Sequence, residues 1–270
     1  MKLAISNIAW KAEHDAEVFA CLRDYDVKGI ELAPTRLWSD WQVSPEQMAA
    51  YGNGLAEQSL ICSSFQAILF NQPQLHLFGT PEQTLALLSH LKRVADLAAA
   101  IGAKNMVFGA PKQRDRRDLT LEQATARAIE VFSEIGAYCM SQQVCLCLEP
   151  NPTEYQCNFI TDSLSGAALV RQVNSPGFRL HLDTAGMHLA GEDMGAAILN
   201  NVDVLAHIHL SEPYLGDFSA PHVAHHQVAE ALAAIDWQGW MAIEMRATET
   251  PVQSVQQALE FVQKTYGRLL

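Results

Sequence analysis

Eight short segments of the chain are apolar almost throughout, and longer stretches with a helical spacing of apolar residues lie between them. The predicted strands span 3–10, 28–32, 60–69, 105–110, 144–149, 178–183, 204–210 and 240–245. Strands that alternate with helices and show no polar face predict a parallel sheet buried on both sides. Eight such units in 270 residues fit an α/β fold, a closed (β/α)8 TIM barrel forming one domain over residues 1–270. A doubly wound open sheet competes less well, because no glycine-rich turn follows the first predicted strand.

Three helix starts are marked by short capping motifs. The motifs "SPEQ" at 44, "TPEQ" at 80 and "TPVQ" at 250 each place Ser or Thr at the N-cap, Pro at the first helical position and Gln at the reciprocal capping position. Gly102 follows a long helical stretch and is expected to end it.

The charge balance argues against a nucleic-acid partner. The chain carries 30 acidic and 18 basic residues, a formal net charge of -12, which would repel a phosphate backbone. The densest cationic stretch, "KQRDRRD" at 112 to 118, is interrupted by two aspartates and is predicted to be a solvated loop.

The cysteines and the N-terminal stretch favour a cytoplasmic protein. The 6 cysteines form no CxxC pair, which is typical of a reducing compartment. The first residues, "MKLAISNIAW", lack the long apolar segment of a signal peptide, and no apolar run reaches membrane-spanning length. We therefore expect no membrane contact.

A ligand-type side chain stands at the end of each of the last four predicted strands. These residues are Glu149, Asp183, His209 and Glu244, separated by 34, 26 and 35 residues, each about one strand–helix unit. The C-terminal ends of barrel strands surround one pocket, so the four side chains are expected to point at a common volume. A single carboxylate in such a place is more often a capping or rim residue, but four in consecutive units favour a site.

Three carboxylates buried together require a counter-charge, because like charges at low dielectric force protonation or unfolding. We therefore predict one divalent cation. Three oxygen ligands with one imidazole favour Mn2+, Mg2+ or Co2+, with Zn2+ also compatible.

The residues two positions before each ligand are expected to face the barrel interior one layer down. They are Cys147, His181, His207 and Ala242. The two histidines could orient the ligands, bind substrate or serve as core histidines.

The order and spacing of six motifs resemble the xylose isomerase-like barrel superfamily, the sugar phosphate isomerase and epimerase group that includes ketose 3-epimerases and hydroxypyruvate isomerase. The motifs are "NIAW", "GIELAP", "LEPNP", "HLDT", "HIHLSE" and "IEMR". The resemblance implies that Glu149, Asp183, His209 and Glu244 hold one metal ion, which chelates a substrate carbonyl oxygen and the neighbouring hydroxyl. It also implies that Glu149 and Glu244 act on opposite faces of the substrate, one removing and one returning the proton alpha to the carbonyl of an enediolate-forming sugar or hydroxy-carbonyl compound.

Two positions depart from the ketose 3-epimerases of that group. Gly186 stands where they carry a substrate-contacting histidine, and Leu215 stands where they carry an arginine. His188 lies two positions further on and could reach the pocket instead. A free ketohexose is therefore not the expected substrate.

Six residues are predicted to bind substrate because of their place near strand ends or ligands: Trp10, Glu31, Gln66, Glu154, His188 and His207. Their alternatives remain open: barrel packing for Trp10, a rim ion pair for Glu31 and a loop-bracing amide for Gln66. The cluster "PHVAHH" at 221 to 226 is predicted to be an exposed loop.

The leading hypothesis is a metal-dependent sugar or sugar phosphate isomerase or epimerase. A metal-dependent lyase or dehydratase would use the same first proton abstraction. An apurinic-endonuclease-like phosphodiesterase would need more metal ligands in the early strands and a positive surface, and a non-catalytic binding barrel would not need both glutamates. Self-association into a homo-oligomer is left open, with Trp38, Trp41 and Phe78 as apolar residues that could supply a contact or pack under the long loops.

Overall fold

Eight parallel strands close into one barrel in the computed structural model, which describes residues 2–267. In barrel order the strands are Lys2–Ser6 (β1), Gly29–Leu32 (β2), Ile61–Phe65 (β3), Asn105–Phe108 (β4), Cys145–Leu148 (β5), Phe178–Asp183 (β6), Leu205–Ser211 (β7) and Trp240–Glu244 (β8). Each strand pairs with the next in sequence, and β8 closes the barrel by pairing with β1. The (β/α)8 TIM barrel and all eight strands predicted from the sequence are confirmed.

Helices surround the barrel. Their bounds are Asp15–Asp24 (α1), Pro45–Glu57 (α2), Pro81–Ile101 (α3), Leu121–Ser141 (α4), Ser163–Val173 (α5), Thr184–Leu189 (α6), Met194–Leu199 (α7), His225–Ala234 (α8) and Pro251–Tyr266 (α9). In the part of the chain that the structure describes, no helix combines the length and the apolar character needed to cross a membrane.

Two predicted strands, the first and the third, end four residues earlier than expected. The first stops at Ser6, because Asn7–Ala9 turns into a short 3-10 helix whose cap is the Ser6 side chain. The third stops at Phe65, because Ala67 adopts a positive φ of 51° that a strand cannot continue through.

The capping motifs are correct at two of the three predicted sites. Ser44 and Thr80 form reciprocal capping boxes with the glutamines three residues later, and Gly102 ends α3 with a φ of 87°. The prediction for Thr250 was wrong, because its side chain caps nothing in α9. Thr120 forms a capping box that was not predicted, since it lacks the following proline.

Aromatic packing fixes the outer helices against the barrel. Phe132 of α4 stacks on Phe178 of β6 with ring centroids 4.4 Å apart, and it meets the edge of Phe108 of β4 at 5.5 Å. Such pairs contribute about 0.5–1.5 kcal/mol beyond their buried area. Trp41 and Phe78 are buried as well, which agrees with packing under the loops.

Candidate metal centre

The four predicted ligands meet at the C-terminal rim of the barrel. Asp183 and Glu244 are the last residues of β6 and β8, Glu149 follows β5 directly, and His209 lies near the end of β7. Asp183 is paired with His209 in the β6–β7 ladder, and Ser211 is paired with Glu244 in the β7–β8 ladder. The parallel register therefore brings these side chains to one side of the barrel.

Their ligand atoms lie close together. Glu149, Asp183 and His209 each offer one ligand atom, and these atoms lie within 4.8 Å of one another. Glu244 completes the group, because its Oε2 is 3.2 Å from Nδ1 of His209. Three carboxylates and one imidazole therefore surround a common volume.

The carboxylates disfavour each other's ionised form in the absence of a cation. Burial, followed by repulsion from Asp183 and Glu244, raises the pKa of Glu149 to about 8. Burial and Glu244 raise the pKa of Asp183 to about 6, although a hydrogen bond from Ser211 opposes the shift. A divalent ion would reverse this balance, since it favours the charged form of every carboxylate around it.

His209 fits a metal ligand by its unsatisfied nitrogens. Neither Nδ1 nor Nε2 forms a hydrogen bond of good geometry with the described residues, although the side chain is almost fully buried. Burial alone would lower the pKa of His209, but the charges of Glu31 and Glu244 raise it well above its usual value. An ion at Nδ1 would occupy one of these orphaned positions, so the residues present fit a divalent cation with oxygen and imidazole ligands.

Backbone and small residues hold the carboxylates in place. Asp183 caps α6, and its Oδ1 accepts a hydrogen bond from the amide of Gly186 at 2.5 Å, while Oδ2 accepts from the Ser211 hydroxyl. Glu149 lies against the backbone of Gly109, where an added Cβ would come within 2.2 Å of its Oε2. A glycine is therefore required at 109 for Glu149 to take this position.

Arg114 supports Glu149 from the side, and the prediction of a solvated loop over 112 to 118 fails at this residue alone, since the other side chains of the segment are exposed or half-buried. The guanidinium is fully buried, and it donates to the backbone oxygen of Glu149 at 2.7 Å and to Oδ1 of Asn151 at 2.9 Å. Carbonyl and amide oxygens that lie beneath the loop explain why this arginine is buried. Its positive charge also lowers the pKa of Glu149, against the larger upward effect of burial.

Glu31 lies beneath His209 instead of at the pocket surface where a substrate-binding residue was predicted. It is fully buried, its Oε2 is 2.9 Å from Nε2 of His209, and its Oε1 accepts a hydrogen bond from Ser64 at 2.7 Å. Burial raises the pKa of Glu31, but His209 and His207 outweigh it and hold the pKa below its usual value. Glu31 is placed to orient His209, in the manner of a carboxylate behind a metal-bound imidazole.

His207 also lies one layer below the rim, which corrects its predicted place beside the substrate. It is fully buried, with Nε2 3.0 Å from the Ser64 hydroxyl and Nδ1 3.1 Å from Nδ1 of His181. Burial lowers the pKa of both histidines, which favours their neutral form. The Nδ1 contact then requires one ring to donate and the other to accept. Cys147 and Ala242 are fully buried as well.

Of the other four residues predicted to bind substrate, one lines the cavity, one is buried and two are exposed. Gln66 lines the cavity beside Glu149. Trp10 is buried, and its indole donates to Asp15 at 2.7 Å, which favours the packing alternative. Glu154 and His188 are exposed, and the structure brings neither to the cavities that border the carboxylates.

The "PHVAHH" segment is only partly the exposed loop that was predicted. His225 is buried, because its Nε2 is 2.9 Å from Glu212 and its Nδ1 is 2.8 Å from the hydroxyl of Tyr266. These contacts tie the loop after β7 to α9. His222 and His226 are exposed.

The cluster opens into a cleft with two lobes. The first lobe, about 520 Å3, lies over the ends of β3 and β4, where Gln66 and Phe70 line it. The second lobe, about 440 Å3, lies over β5 to β7 and is lined by Tyr155, Tyr214 and Leu215. Glu149, Glu244 and Ala110 line both lobes. Phe70 and Tyr214 were not predicted from the sequence, because loop residues carry no period that would place them.

Two curated relatives resemble the chain at low identity. The L-ribulose 3-epimerase of Methylomonas sp. (strain DH-1) is 24% identical over 168 residues, which are 59% of this chain. The match spans only 56% of that enzyme's length. The ketose 3-epimerase of Arthrobacter globiformis is 22% identical over 263 residues, which cover 90% of this chain and 83% of the relative.

The fold and the family follow from two further comparisons. The solved structure of D-psicose 3-epimerase with D-tagatose from Clostridium cellulolyticum H10 superposes with a TM-score of 0.83 at 17% identity, and the match covers 98% of this chain and 99% of that one. The sequence profile described as xylose isomerase-like TIM barrel matches residues 19–265, which is most of the chain. The chain therefore belongs to the xylose isomerase-like TIM barrel family.

Proposed function

We propose that this protein is a divalent-metal-dependent sugar epimerase or isomerase that moves a proton alpha to a carbonyl group. The observation that carries the proposal is the buried cluster of Glu149, Asp183, His209 and Glu244 at the rim, where Nδ1 of His209 forms no hydrogen bond of good geometry with the described residues. The two curated relatives, both named as 3-epimerases of ketoses or ribulose, support the same reaction class.

The residues divide the work by position. Asp183 and His209 act as ligands only, since Asp183 is held by Ser211 and Gly186, and His209 is held by Glu31 from beneath. A bound divalent ion would polarise the substrate carbonyl and stabilise negative charge on its oxygen. Glu149 and Glu244 border both lobes of the cleft, so each can face the alpha carbon of a substrate that lies between them.

Proton transfer then requires one glutamate to act as base while the other acts as acid. One removes the alpha proton, and the other returns a proton to the opposite face to give the epimer, or to the neighbouring carbon to give the isomer. Burial and neighbouring charge already place the pKa of Glu149 at about 8 in the metal-free protein, and such tuning towards neutral pH is typical of acid–base residues.

Two residues of this chain restrict how a sugar substrate could be held. Gly186 and Leu215 supply no imidazole or guanidinium to substrate hydroxyls, so this chain must hold its sugar with other groups. Tyr155 and Asn151 line the second lobe beside the carboxylates and offer a hydroxyl and an amide for that purpose.

The test is exchange of the alpha proton with solvent. The protein is loaded with Mn2+, Co2+ or Mg2+ in D2O, and ketoses, ketose phosphates and 2-hydroxy-carbonyl compounds are followed by proton NMR. Loss of an alpha proton signal together with a new epimer or isomer supports the proposal. A product that has lost water would identify a lyase instead, and no exchange with any metal and substrate class would refute proton-transfer chemistry at this site.

A further inference from the structure

The two lobes of the cleft leave room beside the reacting sugar. Each lobe separately falls within the range of about 300–1,000 Å3 typical of small-ligand sites. Glu149 and Glu244 line both, so a monosaccharide whose alpha carbon lies between them extends into one lobe and leaves the rest of the other unfilled. Each lobe carries one exposed aromatic ring: that of Tyr214 in the second lobe packs edge-on against Tyr155, which leaves Phe70 in the first lobe as the ring to be explained.

Phe70 is 58% exposed at the edge of the first lobe. A large apolar side chain held in water loses the burial free energy it would gain elsewhere, about 25 cal/mol for each Å2 of apolar surface. A single exposed apolar side chain is ordinary on a protein surface, so what singles out Phe70 is its position in the lining of the cleft.

The turn that carries Phe70 is braced and therefore holds the ring in place. Ala67 and Asn71 flank it with φ values of 51° and 58°, and the amide of Phe70 donates to the oxygen of Ala67 at 2.9 Å. From beneath, the indole of Trp41 donates to the oxygen of Phe70 at 3.2 Å, and Nε2 of His90 donates to that of Ile68 at 2.8 Å. A non-glycine residue such as Ala67 in the left-handed region persists only where its surroundings enforce it.

Polar side chains surround the ring on the same lobe. Asn71 and Gln72 follow Phe70 in the turn, and Lys112 and Gln113 face the lobe from the loop after β4. An apolar ring face with amide and ammonium groups around it matches a pyranose, which has apolar C–H faces and a rim of hydroxyl groups.

We propose that the first lobe is a subsite for a second sugar ring, so that the substrate is a glycosylated carbonyl sugar with its glycosyl group on Phe70. This inference rests on the proposed function, because it takes the carbonyl sugar to lie at Glu149 and Glu244. The subsite accounts for three features together: the unfilled lobe, the braced turn and the exposed ring.

The experiment compares D-fructose with two glycosylated forms of it, isomaltulose, which carries glucose on O6, and lactulose, which carries galactose on O4. Exchange of the C3 proton in D2O gives kcat/KM for each sugar with wild type, Phe70→Ala and Phe70→Trp. Leu85→Ala, which removes an exposed apolar side chain from α3 outside the cleft, is the matched control.

We expect Phe70→Ala to lower kcat/KM for at least one glycosylated ketose about tenfold relative to wild type, by loss of ring stacking. Turnover of D-fructose, where the wild type shows any, should stay at the wild-type value. Phe70→Trp should restore kcat/KM for the glycosylated ketose, and Leu85→Ala should leave it at the wild-type value. An unchanged kcat/KM for both glycosylated ketoses in Phe70→Ala overturns the subsite, as does a wild-type protein that turns over D-fructose and neither glycosylated form.

Failure of the proposed function gives a different result. If the wild-type protein exchanges the C3 proton of none of the three sugars, ketose epimerisation fails, and the subsite is then decided by calorimetric titration with isomaltulose and lactulose. Binding that weakens about tenfold in Phe70→Ala supports the subsite. Equal binding by both proteins, or no binding by the wild type, overturns it.

Discussion

Replacing Glu31 by Gln tests whether the centre depends on the carboxylate beneath His209. The substitution keeps the size of the side chain and removes its charge, at a position 2.9 Å from Nε2 of His209 and fully enclosed by protein. Glutamine also turns an acceptor into a donor towards Ser64 when its amide nitrogen faces that hydroxyl. We expect His209 to be held less firmly and to become a weaker ligand.

The size of the effect follows from the geometry. A full positive charge on the imidazole would interact with the carboxylate by roughly 6 kcal/mol at 2.9 Å and an effective dielectric of about 20. Desolvation of buried charges offsets much of this, and a metal-polarised ring carries less than a full charge. Loss of such a partner typically weakens metal affinity about 10- to 100-fold, which is about 1.4–2.8 kcal/mol. The expected loss for Glu31→Gln lies in that range.

The assay is calorimetric titration of chelator-treated protein with Mn2+ at fixed pH. Glu57→Gln makes the same change of charge on an exposed residue at the end of α2 and serves as the control. Thermal melting of the metal-free proteins checks that each variant folds. An affinity for Glu31→Gln within about twofold of wild type would refute the role given to this carboxylate.

The remaining predictions concern the ligands themselves. Protein purified without chelator should hold about one divalent ion per chain by elemental analysis, and Asp183→Asn and His209→Ala should lose it while keeping their circular dichroism spectra. Glu149→Gln and Glu244→Gln should each slow net epimerisation at least about 100-fold. Each should still exchange the alpha proton of a different epimer, and identical exchange patterns would contradict the two-face assignment. Metal affinity should rise with pH, because burial and neighbouring charge hold the pKa of Asp183 at about 6 and that of Glu149 at about 8, and both must ionise to bind. The metal-free protein should lose stability as pH rises from the values near 4.5 and 3.8, where these two carboxyls ionise in the unfolded chain, to their higher pKa values in the folded protein. Thermal melting at a series of pH values, with and without Mn2+, tests both the rise in metal affinity and the loss of stability.

The barrel and the positions of the four ligands could be predicted because both depend on coarse features. Eight apolar runs separated by helical stretches leave few ways to bury every strand on both faces. Once the strands are parallel, the chain direction alone decides that Glu149, Asp183, His209 and Glu244 stand at one end of the barrel. The packing of individual side chains does not affect this position.

The depth at which each side chain lies within the barrel could not be predicted from the sequence in the same way. Glu31 follows a register shift in the β2–β3 pairing, where Ile30 is paired with Cys62 but Glu31 with Ser64. That register shift and the tilt of the strands decide which side chains share a layer with His209. The pattern of apolar residues in the sequence predicts neither the shift nor the tilt. His207 was placed at the substrate for the same reason, although its two-residue spacing from His209 already indicated a lower layer.

Buried polar residues in loops were the other failure. Arg114 and His225 lie in segments whose composition is typical of solvated loops, yet each finds acceptors that come from distant parts of the chain. Arg114 bonds to the oxygen of Glu149, and His225 to the carboxylate of Glu212. Burial of a charged or polar side chain is decided by such partners, which only the folded structure brings together.

The division between strands and loops also explains how the chain can carry the proposed metal site on its strands while its substrate contacts change in the loops. The ligands are fixed by the strand ladder, and small residues such as Gly109 and Gly186 fit tightly against Glu149 and Asp183. Substrate contacts come from the loops above, where insertions and substitutions cost little. At 186 an added Cβ would lie 3.2 Å from Asp183, so glycine there favours close packing of the ligand and supplies no side chain to the sugar. Recognition must then come from the remaining rim, where the aromatic and amide side chains of the two lobes are the groups available.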